Sequence, residues 1–262
     1  MDGGARVRTG VPGFDELVEG GLPKGSNVLL TGIPGTGKTI FALQYLYNGA
    51  KSGECGVYVT LDQKRSDLLH QAEKLGWDME SLEKDKKLKI VEVALDLAGI
   101  NIFEMIDVAV KEIGAKRLVF DSLVNFAVNL DQFIIPLGFN LSDVDPSYKN
   151  RPLDHKITYT GKSDQRATYL LINELSKQGT TNLIVTAAKQ SGDQLTVDGV
   201  SEFACDCVVA FYNELLGSKR MRTISILKMR DTDHSQYVHD LELSGKGCLV
   251  KPAEKVYQKN TT

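Results

Sequence analysis

Nowhere in this chain do apolar residues run for the roughly eighteen or more positions that a membrane-spanning helix needs, and Met1-Asp2-Gly3-Gly4 lacks the apolar core of a signal peptide. The expectation is a cytoplasmic protein with no membrane partner. An excess of positive charge is missing too. The 31 lysines and arginines stand against 34 aspartates and glutamates, a formal charge of −3, so no global field draws the molecule to duplex nucleic acid or an acidic membrane. Cysteine is scarce: Cys55, Cys205, Cys207 and Cys248 stand apart except for one C-x-C pair, which fits neither zinc spacing nor a C-x-x-C redox motif. Cys205 and Cys207 are expected on one face at the start of a strand, as ordinary buried or half-buried thiols. No repeat of fixed period and no low-complexity tract interrupts the chain. At 42% hydrophobic and 25% charged, the 262 residues fit one sizeable α/β domain spanning 1–262.

What the chain does have is a phosphate cradle. The apolar run Asn27-Val28-Leu29-Leu30-Thr31 ends in Gly32-Ile33-Pro34-Gly35-Thr36-Gly37-Lys38-Thr39, and a helical pattern over 40–51 follows at once. That is a G-x-x-x-x-G-K-T loop in the strand-to-helix setting that it requires. Glycines let backbone N–H groups converge on an anion with no Cβ in the way. The loop from Pro34 through Gly35, Thr36 and Gly37 to Lys38, Thr39 and Ile40 is therefore the candidate nucleotide cradle. Lys38 would reach the β- and γ-phosphates, Thr39 would offer its hydroxyl to Mg²⁺, and the helix would point its positive end at the same charge. ATP and Mg²⁺ are the expected cofactors.

Residues 6–26 read as a short helical piece between Gly/Pro turns. Strands are expected at 57–61, 88–93, 117–121, 182–187 and 207–211, and helices at 66–75, 102–113 and 166–178. Alternating strands and helices imply a mainly parallel twisted sheet with helices on both faces. The runs 222–229 and 237–243, around Arg230-Asp231-Thr232-Asp233-His234, predict an antiparallel hairpin at the end. Arg117-Leu118-Val119-Phe120-Asp121 places a carboxylate at the carboxyl end of a strand, where open α/β sheets bind ligands. Asp121 is thus the second candidate for Mg²⁺. Residues 129–162 lack periodicity, an unusually long connection for a compact domain and a candidate contact for a protein partner.

With these residues in view, the chain resembles the RecA-like P-loop ATPases of the KaiC family. The likeness is carried by Thr9-Gly10-Val11-Pro12-Gly13-Phe14-Asp15-Glu16-Leu17, Gly20-Gly21-Leu22-Pro23-Lys24-Gly25-Ser26, the P-loop and Gly56-Val57-Tyr58-Val59-Thr60-Leu61. It continues through Leu75-Gly76-Trp77-Asp78, Phe120-Asp121-Ser122, Gly199-Val200-Ser201-Glu202-Phe203-Ala204-Cys205-Asp206 and Leu227-Lys228-Met229-Arg230-Asp231-Thr232-Asp233-His234. The resemblance implies a homo-oligomeric ring, usually a hexamer, with ATP between neighbouring subunits. Lys228-Met229-Arg230 looks like the family's Lys-x-Arg pair, two cations on alternate residues that stabilise γ-phosphate charge in trans as an arginine finger does. His234 matches a family position near the same nucleotide, and Thr186 resembles a γ-phosphate sensor.

Two departures qualify that likeness. Family members commonly carry Glu-Glu where this chain has Asp62-Gln63. Asp62 keeps an acceptor on a shorter arm, while Gln63 can orient water but cannot take its proton, which implies slow hydrolysis. Glu202-Phe203 stands where self-phosphorylating members have adjacent Ser-Thr acceptors, so autokinase activity is not expected, although Ser201 is next door. Three functions follow: a ring ATPase completed across subunit interfaces; an ATP-gated assembly or binding module with little hydrolysis; and a recombinase-like ATPase that binds single-stranded DNA. The last is least favoured, because its candidate loops, 129–162 and 189–199, hold few aromatics and no basic stripe.

Overall fold

The computed structural model describes residues 4–93, 101–129, 163–189 and 194–253. The connection at 129–162 lies outside them apart from Asn129, as do residues 190–193 of the second candidate DNA loop.

The N-terminal segment forms a two-stranded ribbon, β1 (Arg6–Val7) with β2 (Leu22–Pro23), around the one-turn 3₁₀ helix Asp15–Val18. Strand β3 (Asn27–Gly32) then leads through the glycine loop into helix α1 (Lys38–Lys51). There follow β4 (Gly56–Thr60), α2 (Arg65–Lys74), α3 (Met79–Lys84), β5 (Leu88–Glu92), α4 (Ile102–Ile113), β6 (Arg117–Asp121) and α5 (Leu123–Val128). The second half contains α6 (Ser163–Ser176), β7 (Thr181–Val185), the short α7 (Ser201–Ala204) and four strands, β8 (Cys207–Leu216), β9 (Lys219–Met229), β10 (Val238–Ser244) and β11 (Gly247–Lys251).

Nine of these strands form one sheet in the order β11-β10-β9-β8-β3-β7-β6-β4-β5. From β8 to β5 every pairing is parallel; from β8 to β11 every pairing is antiparallel. The parallel strands are apolar on both faces, as a sheet covered on both sides demands. Period-two alternation sorts them: Val28, Leu30, Tyr58 and Val119 join the core beneath α1 and α2, while Leu29, Val57, Val59 and Phe120 join the core beneath α4, α5 and α6.

The expected mixed sheet with helices on both faces is present, and its antiparallel end is larger than one hairpin. Strand β8 runs on to Leu216 and returns as β9 through a two-residue Gly217-Ser218 turn, so 222–229 is the second arm of a long hairpin. Strand β10 then pairs with both β9 and β11. Helix α1 starts at Lys38, two residues before the periodicity predicts, because the loop's own Gly37 ends the turn. All four cysteines are free thiols, three of them buried, but Cys205 precedes β8 as the last turn of α7 closes, and only Cys207 lies in the strand.

Parallel register aligns the carboxyl ends that matter. Gly32 lies opposite Phe211, Thr60 opposite Asp121, and Asp121 opposite Val185. The loops leaving β3, β4, β6 and β7 therefore open on one rim of the sheet.

Candidate active site

On that rim lies a cavity of about 580 Å³, floored by the glycine loop and walled by Asp62, Gln63, Asp121, Asn125 and Thr186. Its floor depends on close approach. A Cβ on Gly32 would stand 2.4 Å from the Phe211 carbonyl oxygen, and Gly37 has φ +106° with a Leu243 methyl 3.0 Å from where its Cβ would be. Neither position accepts a side chain without strain. No side chain caps the start of α1, and no acidic residue sits in its first turn. Its free N–H groups and positive dipole end are left for an anion from outside the helix.

Lys38 folds back over this loop, and its Nζ donates to the Gly32 carbonyl at 2.6 Å and the Ile33 carbonyl at 3.1 Å. Burial lowers its ammonium to about 8, with the Asp121 carboxylate opposing the shift. Next to it, the Thr39 hydroxyl donates to Asp121 Oδ2 at 3.2 Å, across 82 residues of sequence. Asp121 is 4% exposed. Burial raises its carboxyl above the ordinary range, and hydrogen bonds from Tyr58 and Thr39 hold it back. Asp62 is exposed and Gln63 half-buried at the rim. The Gln63 backbone is fixed by reciprocal bonds with the Thr60 hydroxyl, and its side-chain oxygen accepts from Gln71 Nε2 at 2.7 Å. Thr186, buried at the end of β7, donates its N–H to the Leu30 carbonyl.

The structure thus brings together Pro34, Gly35, Gly37, Lys38, Thr39, Ile40, Asp62, Gln63, Asp121 and Thr186. Thr36 is buried within the loop, its hydroxyl on the Ile33 carbonyl. Lys228, Met229, Arg230 and His234 are elsewhere. Lys228 pairs with Val208 and Met229 with Cys207, which is level with Val28 at the start of β3, so these residues occupy the opposite end of the sheet. The rise from Val28 to Gly32 alone is roughly 13 Å. There Lys228 Nζ donates to the carbonyls of Glu202, Phe203 and Cys205 at 3.2, 3.2 and 2.6 Å, closing the C-terminus of α7. Arg230 meets Asp206 at 3.0 Å. Met229 is core, and His234 is half-buried with Nδ1 by the Ser235 carbonyl. Ser201 is fully buried, its hydroxyl on Asp198.

Three neighbours escape sequence reasoning. Arg222 Nε donates to the Gly35 carbonyl at 3.0 Å, Gln71 holds Gln63, and the Tyr58 hydroxyl donates to Asp121 Oδ2 at 2.6 Å. Each depends on strand or helix register, and no local motif marks it.

A family model described as "ATPase: KaiC" matches residues 7–134 and 157–255. The chain is 29% identical over 258 residues to the circadian clock oscillator protein KaiC of Synechococcus elongatus, a match covering 95% of this chain and 44% of that protein. It therefore spans less than half the length of that relative. It is also 29% identical over 265 residues to a UPF0273 protein of Thermotoga maritima, covering 95% of this chain and 97% of the other. Among solved structures, a KaiC-like protein from the hyperthermophilic archaeon Pyrococcus horikoshii superposes with a TM-score of 0.77 at 34% identity, over 95% of this chain and 99% of that one.

Proposed function

The chain belongs to the KaiC ATPase family, and from that premise we propose that it binds Mg-ATP and hydrolyses it slowly, in the cytoplasm, at the interfaces of a homo-oligomeric ring, without autokinase activity. The observation that carries this reading is the pairing of the Thr39 hydroxyl with the buried Asp121 carboxylate beside Lys38, in a cavity floored by an uncapped helix start.

This donor set suits Mg²⁺: one hydroxyl and one carboxylate are hard oxygen ligands, few enough to leave room for the waters and phosphate oxygens that the ion keeps. Bound there, Mg²⁺ would offset charge on the β- and γ-phosphates. The chain's own groups do the rest. Loop N–H groups hold the phosphates, and Lys38 leaves its two carbonyl acceptors to donate to them. Asp62 and Gln63 border the space where an attacking water would lie, Asp62 as acceptor and Gln63 as orienter. Thr186 faces the same space. A slow rate follows from an amide standing where a carboxylate would take the proton.

Lys228 and Arg230 lie too far from their own P-loop to serve it, which supports a role towards a neighbouring copy. In that role Arg230 would exchange Asp206 for γ-phosphate oxygens and His234 would lie beside the same nucleotide, while Met229, its side chain in the core, would offer only its backbone.

The second reading, an ATP-gated module with little hydrolysis, is favoured by one observation: the Gln63 oxygen is already engaged by Gln71. Phosphate release per chain across a range of protein concentration, with Lys38→Ala as the blank, separates the two. A rate that climbs with concentration and vanishes in the blank supports the trans-completed ATPase. ATP binding with a flat, blank-level rate leaves only the gated module. Retention on single-stranded DNA that weakens with salt would revive the recombinase-like reading.

A further inference from the structure

Tyr58 lies in the middle of β4, fully buried on the α1 face of the sheet. A tyrosine hydroxyl in that position must find an acceptor, and backbone can supply one. Tyr45, equally buried, donates to the Thr181 carbonyl at 3.0 Å. Tyr58 takes a different partner. On the neighbouring parallel strand it stands opposite Val119, two residues before Asp121 and on the same face, and its phenol spans that offset to donate to Asp121 Oδ2 at 2.6 Å. The oxygen that receives it also receives the Thr39 hydroxyl. One carboxylate oxygen is thus gripped from two elements, the core of the sheet on one side and the first turn of α1 on the other.

We propose that Tyr58 is a positioning residue for the metal site, fixing the rotation of the Asp121 carboxylate beside Thr39 before Mg-nucleotide arrives. The inference rests on the reading of Thr39 and Asp121 as the Mg²⁺ pair. Without the phenol, the carboxylate keeps its place on β6 but loses the contact that sets its plane. Partners that orient a metal-binding group in this way typically contribute ten- to a hundred-fold in metal affinity.

The test deletes one oxygen atom at a time. Tyr58→Phe and Tyr45→Phe each remove a fully buried hydroxyl and keep the ring, and only the first touches Asp121. Binding of the fluorescent nucleotide mant-ATP is titrated with Mg²⁺ in the full chain, and thermal melting of each variant is recorded alongside. The expected result is about a ten-fold rise in the half-saturating Mg²⁺ concentration for Tyr58→Phe, no shift for Tyr45→Phe, and little change in metal-free nucleotide binding for either. An unchanged Mg²⁺ requirement in Tyr58→Phe overturns the inference and leaves the metal reading standing. So does an equal shift in both variants, which would mark a general loosening of the core. Wild-type protein whose nucleotide binding ignores Mg²⁺ overturns both.

Discussion

The two ends of the sheet are built from the same kinds of groups and put them to opposite use. At the carboxyl end of β3, helix α1 opens uncapped on a cavity, and Lys38 lies across the carbonyls of its own loop. At the other end, Lys228 caps α7 and Arg230 is paired with Asp206. One end offers a cradle for anionic charge; the other stores cations on internal acceptors, far from that cradle. The contrast places Lys228 and Arg230 out of reach of their own cradle, and on the proposed reading it is a second copy that would join the two.

The largest effect is expected when either half is removed. Lys38→Ala and Arg230→Ala should each lower phosphate release by on the order of a thousand-fold. Mixing the two inactive proteins should recover a measurable fraction of wild-type activity, because some interfaces then combine an intact cradle with an intact arginine. Failure to recover any would break the comparison, leaving Arg230 a structural partner of Asp206.

Next in size is Gln63→Glu. Restoring a proton acceptor beside the water should raise turnover by roughly a hundred-fold, with ATP affinity unchanged in a binding titration. A mere loss of binding would mean that this rim does not face the water.

A smaller effect comes from pH. Burial lowers Lys38 from 10.5 to about 8, so the ligand-free protein loses this ammonium as pH rises through 8, while ATP stays ionised. Affinity for ATP should therefore fall about ten-fold between pH 7 and pH 9, and Lys38→Arg should flatten that slope. The sign for stability is opposite: between 8 and 10.5 the unfolded chain binds the proton that the folded chain has released, so the ligand-free fold gains stability across that window as pH rises.

The smallest effect is one of stability rather than turnover. Lys228→Met should cost about 1 kcal/mol through the lost α7 cap, lowering the melting temperature by about 2–4 °C without touching nucleotide binding in the monomer. A variant that melts like the wild type would show that the three carbonyl contacts contribute nothing net.

How much of this was open to sequence reasoning follows from how far apart the partners lie. The glycine loop is contiguous, and its residue types state their chemistry in order, so Lys38 and Thr39 could be read directly. Asp121 could be read from a rule about strand ends, even though 82 residues separate it from Thr39. Tyr58 could not: in sequence it is one more β-former in Gly56-Val57-Tyr58-Val59-Thr60, and only the offset between β4 and β6 turns its hydroxyl towards Asp121. Arg222 was hidden in the same way, because Glu214, Leu215, Lys219 and Arg220, near the tight Gly217-Ser218 turn that sets β8 against β9, are all exposed and break the alternating pattern. The internal partners of Lys228 were hidden as well, since α7 is a single turn with no periodicity to announce it.

Strand β9 has one further consequence. It carries Arg222 against the Gly35 carbonyl near one end and Lys228 and Arg230 at and just beyond the other, six and eight residues on, or roughly 20 to 27 Å in extended chain. Within one subunit the strand is a strut, touching the glycine loop at one end and closing α7 at the other. Held in register by β8 along most of its length, such a strut can tilt but cannot easily bend, so a shift of the glycine loop at Gly35 would be carried along it towards Lys228 as a rigid displacement.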